Sequence, residues 1–226
     1  MTVLRGQAED RGHQGIGDAM TLQLSLLGFG ALLLASVPLS ASPMLSGSYG
    51  PLALIVADNG SVHGVFAERR VGNGTLEAPQ FGCLFLLEGR LEGGEADVVT
   101  WFPGEAERIR GELRLGAEPN LQLEENHGGC LMTSGDMRDA PYDLLLDERR
   151  DDWIGAGLVT AGRAILHPSP AAAPGRRRPY LVRFDPVAVL ARRPGWIHVE
   201  YLEAADGRVT GWLREADVTL SASSGP

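Results

Sequence analysis

The feature that most constrains the fold is a double Gly-Trp segment at 195–217, which reads GWIHVEYLEAADGRVTGWLREAD. In its first half Ile197, Val199 and Tyr201 alternate with other residues, which is the period-two pattern of a half-buried strand. Asp206-Gly207 then supplies the positive φ values that a tight turn needs, and the alternation resumes after it. The segment therefore predicts a β-hairpin with a Gly-Trp pair at or within each strand.

Similar short strands and strong turns run through the earlier chain, from about residue 45 to residue 137. The turn Asp58-Asn59-Gly60 lies between the first two predicted strands. Gly64, Gly82 and Gly111 lie inside strand patterns, where they indicate bulges or tight curvature. The predicted strands are 52–57, 61–68, 81–91, 97–102, 108–115 and one around 121–123. This pattern predicts an all-β protein that begins with a small antiparallel meander, as a barrel or sandwich, over 43–137.

The charge of the chain is unevenly distributed. Its 226 residues carry a formal net charge of −9, and all 20 basic residues are arginine. Residues 43–140 contain 15 acids and 7 arginines, whereas residues 141–226 contain 11 of each. An acidic first half repels nucleic-acid phosphates and attracts cationic partners, so the sequence argues against nucleic-acid binding. The alternative interpretation is that the acids only form a solvated surface.

An uncharged segment near the N-terminus predicts export. Residues 21–57 lack charge, and their most apolar part, 26–37, has the length of a signal-peptide core, whereas a membrane span needs about 20 residues. Ala41 and Ser42 are small residues suited to cleavage, and Met20 is an alternative start. We expect a signal peptide over 1–42 and a periplasmic or secreted product that does not span the membrane; the alternative is an uncleaved anchor.

Export explains the two cysteines. In an oxidising compartment Cys83 and Cys130 most simply form one disulfide. The alternative is a catalytic thiol, since His127 lies three residues before Cys130. No nucleophile elbow, phosphate loop or histidine metal pair occurs in the chain, and His127 with Glu124 and Glu125 matches no established ligand spacing. We therefore predict no catalytic residues, no metal site and no cofactor.

Residues 138–152 are dense in charge and contain three consecutive leucines, which predicts a linker or a short helix. A second domain follows over 153–220, and residues 221–226 are predicted to be a disordered tail. Leu158-Val159 and the run 163–170 form its opening, and a Pro/Arg-rich loop follows at 171–179. With Gly195-Trp196 and Gly211-Trp212, this order of motifs resembles a bacterial Src-homology-3-like domain, which implies a small β-barrel.

The resemblance implies a binding role, because the usual ligand of such domains is a peptidoglycan stem peptide or a partner protein held in an aromatic groove. Trp196 is the first groove candidate and Tyr180 the second; the alternative for Trp196 is a structural cap over the barrel. Arg176, Arg177 and Arg178 can pair with ligand carboxylates, or simply be solvated. One copy of the module gives no avidity for a wall polymer.

Taken together, these features predict an exported, non-catalytic binding protein of the cell envelope that recognises peptidoglycan or an envelope protein. One alternative is an inhibitor or immunity-type protein whose acidic first domain blocks a cationic wall-degrading enzyme. Another is a wall hydrolase whose catalytic pair is assembled from distant residues.

Overall fold

Nearly every element of the protein is a β-strand. The computed structural model describes residues 46–70, 72, 80–171, 178–205 and 207–221. The predicted signal peptide at 1–42, Arg176, Arg177 and residues 222–226 of the predicted tail lie outside the described residues. Apart from one short α-helix and one 3-10 turn, the described elements are strands, so the all-β class is confirmed.

The first half of the described chain forms one nine-stranded antiparallel sheet. Its elements are β1 (Gly47–Tyr49), β2 (Leu52–Val56), β3 (Ser61–Arg70), β4 (Phe81–Glu92), β5 (Glu95–Trp101), β6 (Ile109–Arg114), β7 (Asn120–Leu123), α1 (Cys130–Thr133), β8 (Tyr142–Asp143) and β9 (Leu146–Arg149). The strand order is β8-β7-β6-β5-β4-β3-β2-β1-β9, in which β1 to β8 follow one another as neighbours. The antiparallel meander is confirmed.

This sheet curls into a half-barrel around an apolar core. Phe66, Phe85 and Leu113 are among the side chains that point into the concave side. Gly111 permits the curvature, because a Cβ there would lie 2.5 Å from the carbonyl oxygen of Gln122 on the neighbouring strand. Alternate residues point to the convex side, where they meet either solvent or the second sheet.

The segment 138–152 differs from the predicted linker or short helix, because it contributes β8 and β9 to the first sheet. β8 pairs with β7, and β9 pairs with β1 at the far edge. Its three leucines do not form one apolar stripe: Leu144 is buried, Leu145 is exposed and Leu146 is half-buried. Alternating burial suits an extended chain at a sheet edge better than a helix.

The second half forms a five-stranded sheet and a separate two-stranded ribbon. Its elements are β10 (Gly155–Val159), β11 (Arg163–Ile165), β12 (Tyr180–Val182), β13 (Pro186–Arg193), β14 (Trp196–Tyr201), β15 (Val209–Arg214), a 3-10 turn (Glu215–Asp217) and β16 (Val218–Leu220). The sheet order is β15-β14-β13-β10-β16, and β11 pairs with β12. β14 and β15 form the predicted hairpin; Gly207 has φ of 67°, while Asp206 lies outside the described residues.

The two sheets share a buried cluster and belong to one compact unit. Ile55 and Leu86 from the convex side of the first sheet pack in it with Trp153 and Leu158. Ser221 also differs from the expected disordered tail: it is buried, and both its N–H and its hydroxyl donate to the carbonyl oxygen of Ala156. The fold therefore extends one residue beyond β16.

Candidate functional site

The candidate site lies on the outer face of β14 and β15. Along β14, Ile197 and Val199 are fully buried in the core of the second sheet. Trp196 and His198 alternate with them and therefore point outward, and both remain half-buried. Ile197 and Val199, and not these outward rings, fill the core of the second sheet.

Trp196 lies between a guanidinium group and an imidazole. Arg214, its direct partner on β15, places its guanidinium carbon 4.9 Å from the Trp196 ring centroid. The His167 ring meets Trp196 edge-on, with 5.1 Å between the centroids. Arg178 Nη1 lies 2.8 Å from His167 Nδ1. Because a guanidinium can only donate, this His167 nitrogen accepts and carries no proton.

A second group of rings lies beside the first. His198 stacks on Trp212, with 5.1 Å between the ring centroids and an interplanar angle of 23°. Arg193 places its guanidinium carbon 5.1 Å from the Trp212 ring centroid. A β-bridge joins His167 to Trp212, so the two groups are contiguous. We call the whole set the tryptophan face; its members are His167, Arg178, Arg193, Trp196, His198, Trp212 and Arg214.

The tryptophan face is cationic. Arg193 and Arg214 contact rings, and within the described ranges neither guanidinium forms an ion pair with a carboxylate. Glu200 lies on the same side of β14, but two hydrogen bonds from Arg150 engage its carboxylate. An unpaired guanidinium fixed over an indole ring is suited to binding a carboxylate in a known orientation.

The described members of the predicted binding set lie on the tryptophan face and on the neighbouring strand β12. Trp196 and Arg178 both belong to the tryptophan face, joined through His167. Tyr180 lies on β12, two residues after Arg178, where Arg163 places its guanidinium carbon 4.1 Å from the tyrosine ring centroid. Sequence reasoning missed Trp212, although its position opposite His198 follows from the hairpin register. It also missed His167, whose bridge to β15 has no local sequence signal.

The predicted disulfide is confirmed, and it excludes the thiol alternative. Cys83 on β4 is bonded to Cys130 on α1, and both residues are fully buried. His127 is also buried, stacked on Phe85 with 4.8 Å between the ring centroids. Thr100 Oγ1 donates to the Ile109 carbonyl, so it accepts from His127 Nε2 at 2.8 Å. His127 is therefore a core residue in its neutral form.

Burial of His127 predicts a loss of stability in acid. Desolvation lowers its pKa to about 4, whereas an unfolded histidine has a pKa of about 6.5. As the pH falls from about 6.5 to about 4, the unfolded chain gains a proton that the folded protein does not. Folding should therefore lose about 3 kcal/mol across this window.

Denaturant unfolding at a series of pH values, for the wild type and His127→Gln, measures this loss. Other groups titrate in both proteins, so the informative quantity is the difference between the two unfolding free energies. We expect that difference to shrink as the pH falls through the window. A constant difference would show that the imidazole contributes no pH dependence.

A second surface feature is a groove of about 580 Å³ over β5, β6 and β7. Asp97 lies directly opposite Glu112, and Gln122 lies opposite Glu112 on the other side. Arg110 and Glu124 also line the groove. Glu112 already accepts from Arg114 Nε at 2.7 Å, so of this opposed pair Asp97 is the carboxylate left to pair with a ligand cation.

No protein family model, curated protein or solved structure matches the chain. Among the described residues, no three His, Cys, Asp or Glu side chains are grouped so that they could hold a metal ion. No helix in the described part of the chain is long and apolar enough to cross a membrane.

Proposed function

We propose that this is an exported, non-catalytic binding protein of the cell envelope, which recognises peptidoglycan or an envelope protein through the tryptophan face. The observation that carries the proposal is the pair of indole rings, Trp196 and Trp212, each with an arginine that has no carboxylate partner in the described chain. Such a surface offers flat apolar contact and fixed positive charge to one ligand.

The chemistry of the face favours a ligand with carboxylates. Arg193 and Arg214 are held by ring contacts rather than by carboxylates, so a ligand carboxylate can bind them without displacing an ion pair. Peptidoglycan stem peptides carry carboxylates and short apolar side chains, which can pack against the rings. Trp and Arg are also the residues that most often dominate binding energy at protein interfaces.

Two further features support an envelope location and this type of module. The disulfide is compatible with an oxidising extracellular compartment, which agrees with the expected signal peptide. The five-stranded sheet with its ribbon and a 3-10 turn before β16 supports a Src-homology-3-like module. In the described chain the cysteines are bonded and His127 is buried, which favours binding over catalysis.

Trp196→Ala should weaken ligand binding at least about tenfold while the protein stays folded. The variant removes the ring that contacts both His167 and Arg214, and it leaves the buried Ile197 and Val199 in place. Co-sedimentation with purified cell-wall sacculi measures the binding, and capture from an envelope extract tests the protein ligand. A thermal melt of each variant measures folding.

Trp196→Phe is the matched control, because it retains a ring at the same position and should keep most of the binding. If Trp196→Ala unfolds, Trp196 is a structural cap and the groove interpretation fails. If the wild type neither sediments with sacculi nor captures an envelope protein, the proposed function is wrong.

The groove on the first sheet favours a second candidate function, an inhibitor or immunity-type protein. Asp97 in this groove would accept a lysine or arginine of a cationic wall-degrading enzyme. The acidic balance of 43–140 would also speed the encounter with such an enzyme. Failure to protect cells in a lysis assay with a cationic wall hydrolase would exclude this candidate.

A further inference from the structure

The ribbon formed by β11 and β12 exposes an apolar face. Its register pairs Ile165 with Tyr180 and Arg163 with Val182, so these four side chains lie on one side. Ala164 and Leu181 point the other way and are buried in the core of the second sheet. Ile165, Tyr180 and Val182 remain 40%, 49% and 45% exposed, respectively. We call these four outward side chains the ribbon face.

The ribbon lies in the most basic stretch of an acidic protein. Residues 160–185 contain five arginines and one acid, Asp185, although the whole chain has a net charge of −9. Arg183 Nε donates to the carbonyl oxygen of Thr160, and Asp185 Oδ2 accepts the N–H of Val182. Neither Arg163 nor Arg183 forms an ion pair with a carboxylate of the described residues. Of these arginines Arg163 is the one on the ribbon face, so the face combines exposed apolar area with one guanidinium that has no carboxylate partner among the described residues.

We infer that the ribbon face binds an acidic segment of another protein whose carboxylates alternate with aliphatic side chains. Arg163 is already oriented over the Tyr180 ring, so it can bind a carboxylate with little further loss of freedom. Ile165 and Val182 flank this pair and offer aliphatic contacts. Aliphatic contacts favour a protein segment over a nucleic acid, which would need stacking platforms for its bases.

This inference does not rest on the proposed function. The two faces share no side chain: the tryptophan face consists of residues on β13, β14 and β15 with His167 and Arg178, whereas the ribbon face lies on β11 and β12. They are neighbours, because His167 lies two residues after Ile165 and Arg178 two residues before Tyr180. No ring contact joins Tyr180 to Trp196 among the described residues. Trp196→Ala should therefore leave binding at the ribbon face unchanged, and loss of one binding activity does not decide the other.

The probe for the test is a short peptide, capped at both ends, in which glutamate alternates with valine. Calorimetry should detect binding to the full-length protein, and the matched peptide with glutamine in place of glutamate should bind at least about tenfold more weakly. Arg163→Gln and Tyr180→Ala should each weaken binding of the glutamate peptide about tenfold. Arg163→Lys keeps the charge and should lose less.

Arg108→Gln is the matched control, because Arg108 also lies over an aromatic ring, that of Trp101, but on the first sheet. It should leave peptide binding unchanged. The inference is wrong if the glutamate peptide fails to bind, if the glutamine peptide binds equally well, or if Arg163→Gln has no more effect than Arg108→Gln. Binding to phosphatidylglycerol vesicles in preference to the peptide would also overturn it.

Discussion

Replacing Arg150 with methionine should lower the free energy of unfolding by about 3–5 kcal/mol. Arg150 is only 3% exposed, and its guanidinium donates to both carboxylate oxygens of Glu200, at 2.8 and 2.5 Å. It also donates to both carboxylate oxygens of Asp152, at 2.9 and 3.0 Å. Hydrogen bonds to Glu200 and Asp152 raise the pKa of Arg150 above its usual value, so it stays charged.

The large expected loss of stability arises because the Glu200 carboxylate stays buried after Arg150 is removed. Glu200 is 6% exposed, and after the substitution the one other cation that pairs with it among the described residues is Arg208, at 3.8 Å. A buried carboxylate without its hydrogen-bonded partner keeps the cost of desolvation and loses the compensating attraction. The same substitution also removes the guanidinium from above the Trp153 ring, where its carbon lies 4.6 Å from the centroid.

The neighbouring Arg149 provides a matched control. Its Nε donates to Asp151, 2.8 Å away, and both side chains are more than half exposed. Arg149→Met should therefore leave the free energy of unfolding nearly unchanged, because solvent screens an exposed ion pair. Guanidinium unfolding of the two variants at neutral pH measures the contrast. Equal losses for Arg149→Met and Arg150→Met would show that the buried Arg150–Glu200 pair contributes no more to stability than an exposed ion pair.

Arg150 also shows which parts of the fold the sequence could predict. The strands of the meander and the hairpin of β14 and β15 follow from alternation and turn residues, which are local signals. The pair Arg150–Glu200 joins residues 50 positions apart, across the boundary between the two sheets. The sequence gives no local signal for β9 either, because β9 pairs with β1 about 100 residues earlier in the chain. Short edge strands have too few residues to show a period.

The residues of the candidate site also divide into those that local sequence patterns predict and those that they do not. Trp196 could be predicted because the alternation along β14 places it opposite the core residues Ile197 and Val199. His167 could not, because its place beside Trp196 depends on a single bridge from an irregular segment to β15. The sequence predicts Tyr180 for the same groove, and the register of β12 with β11 places it opposite Ile165, two residues from Arg178 of the tryptophan face.

Removal of the disulfide, as the double variant Cys83→Ala with Cys130→Ala, should cost about 4 kcal/mol of stability. The cysteines are 47 residues apart, so the bond closes a long loop and restricts the unfolded chain. Alanine is chosen because both sites are fully buried, and a serine hydroxyl would add its own desolvation cost. Guanidinium unfolding of both proteins gives the difference.

The m-value, which is the slope of the unfolding free energy against denaturant concentration, distinguishes an effect on the unfolded chain from a loss of native packing. Because the disulfide acts mainly on the unfolded chain, the variant should expose more surface on unfolding and show a larger m-value. Native packing beside the bond is close: a Cβ on Gly129, next to Cys130, would lie 2.2 Å from the carbonyl oxygen of Gly82. If stability falls strongly but the m-value is unchanged, the loss instead arises from weaker native packing of α1 against β4.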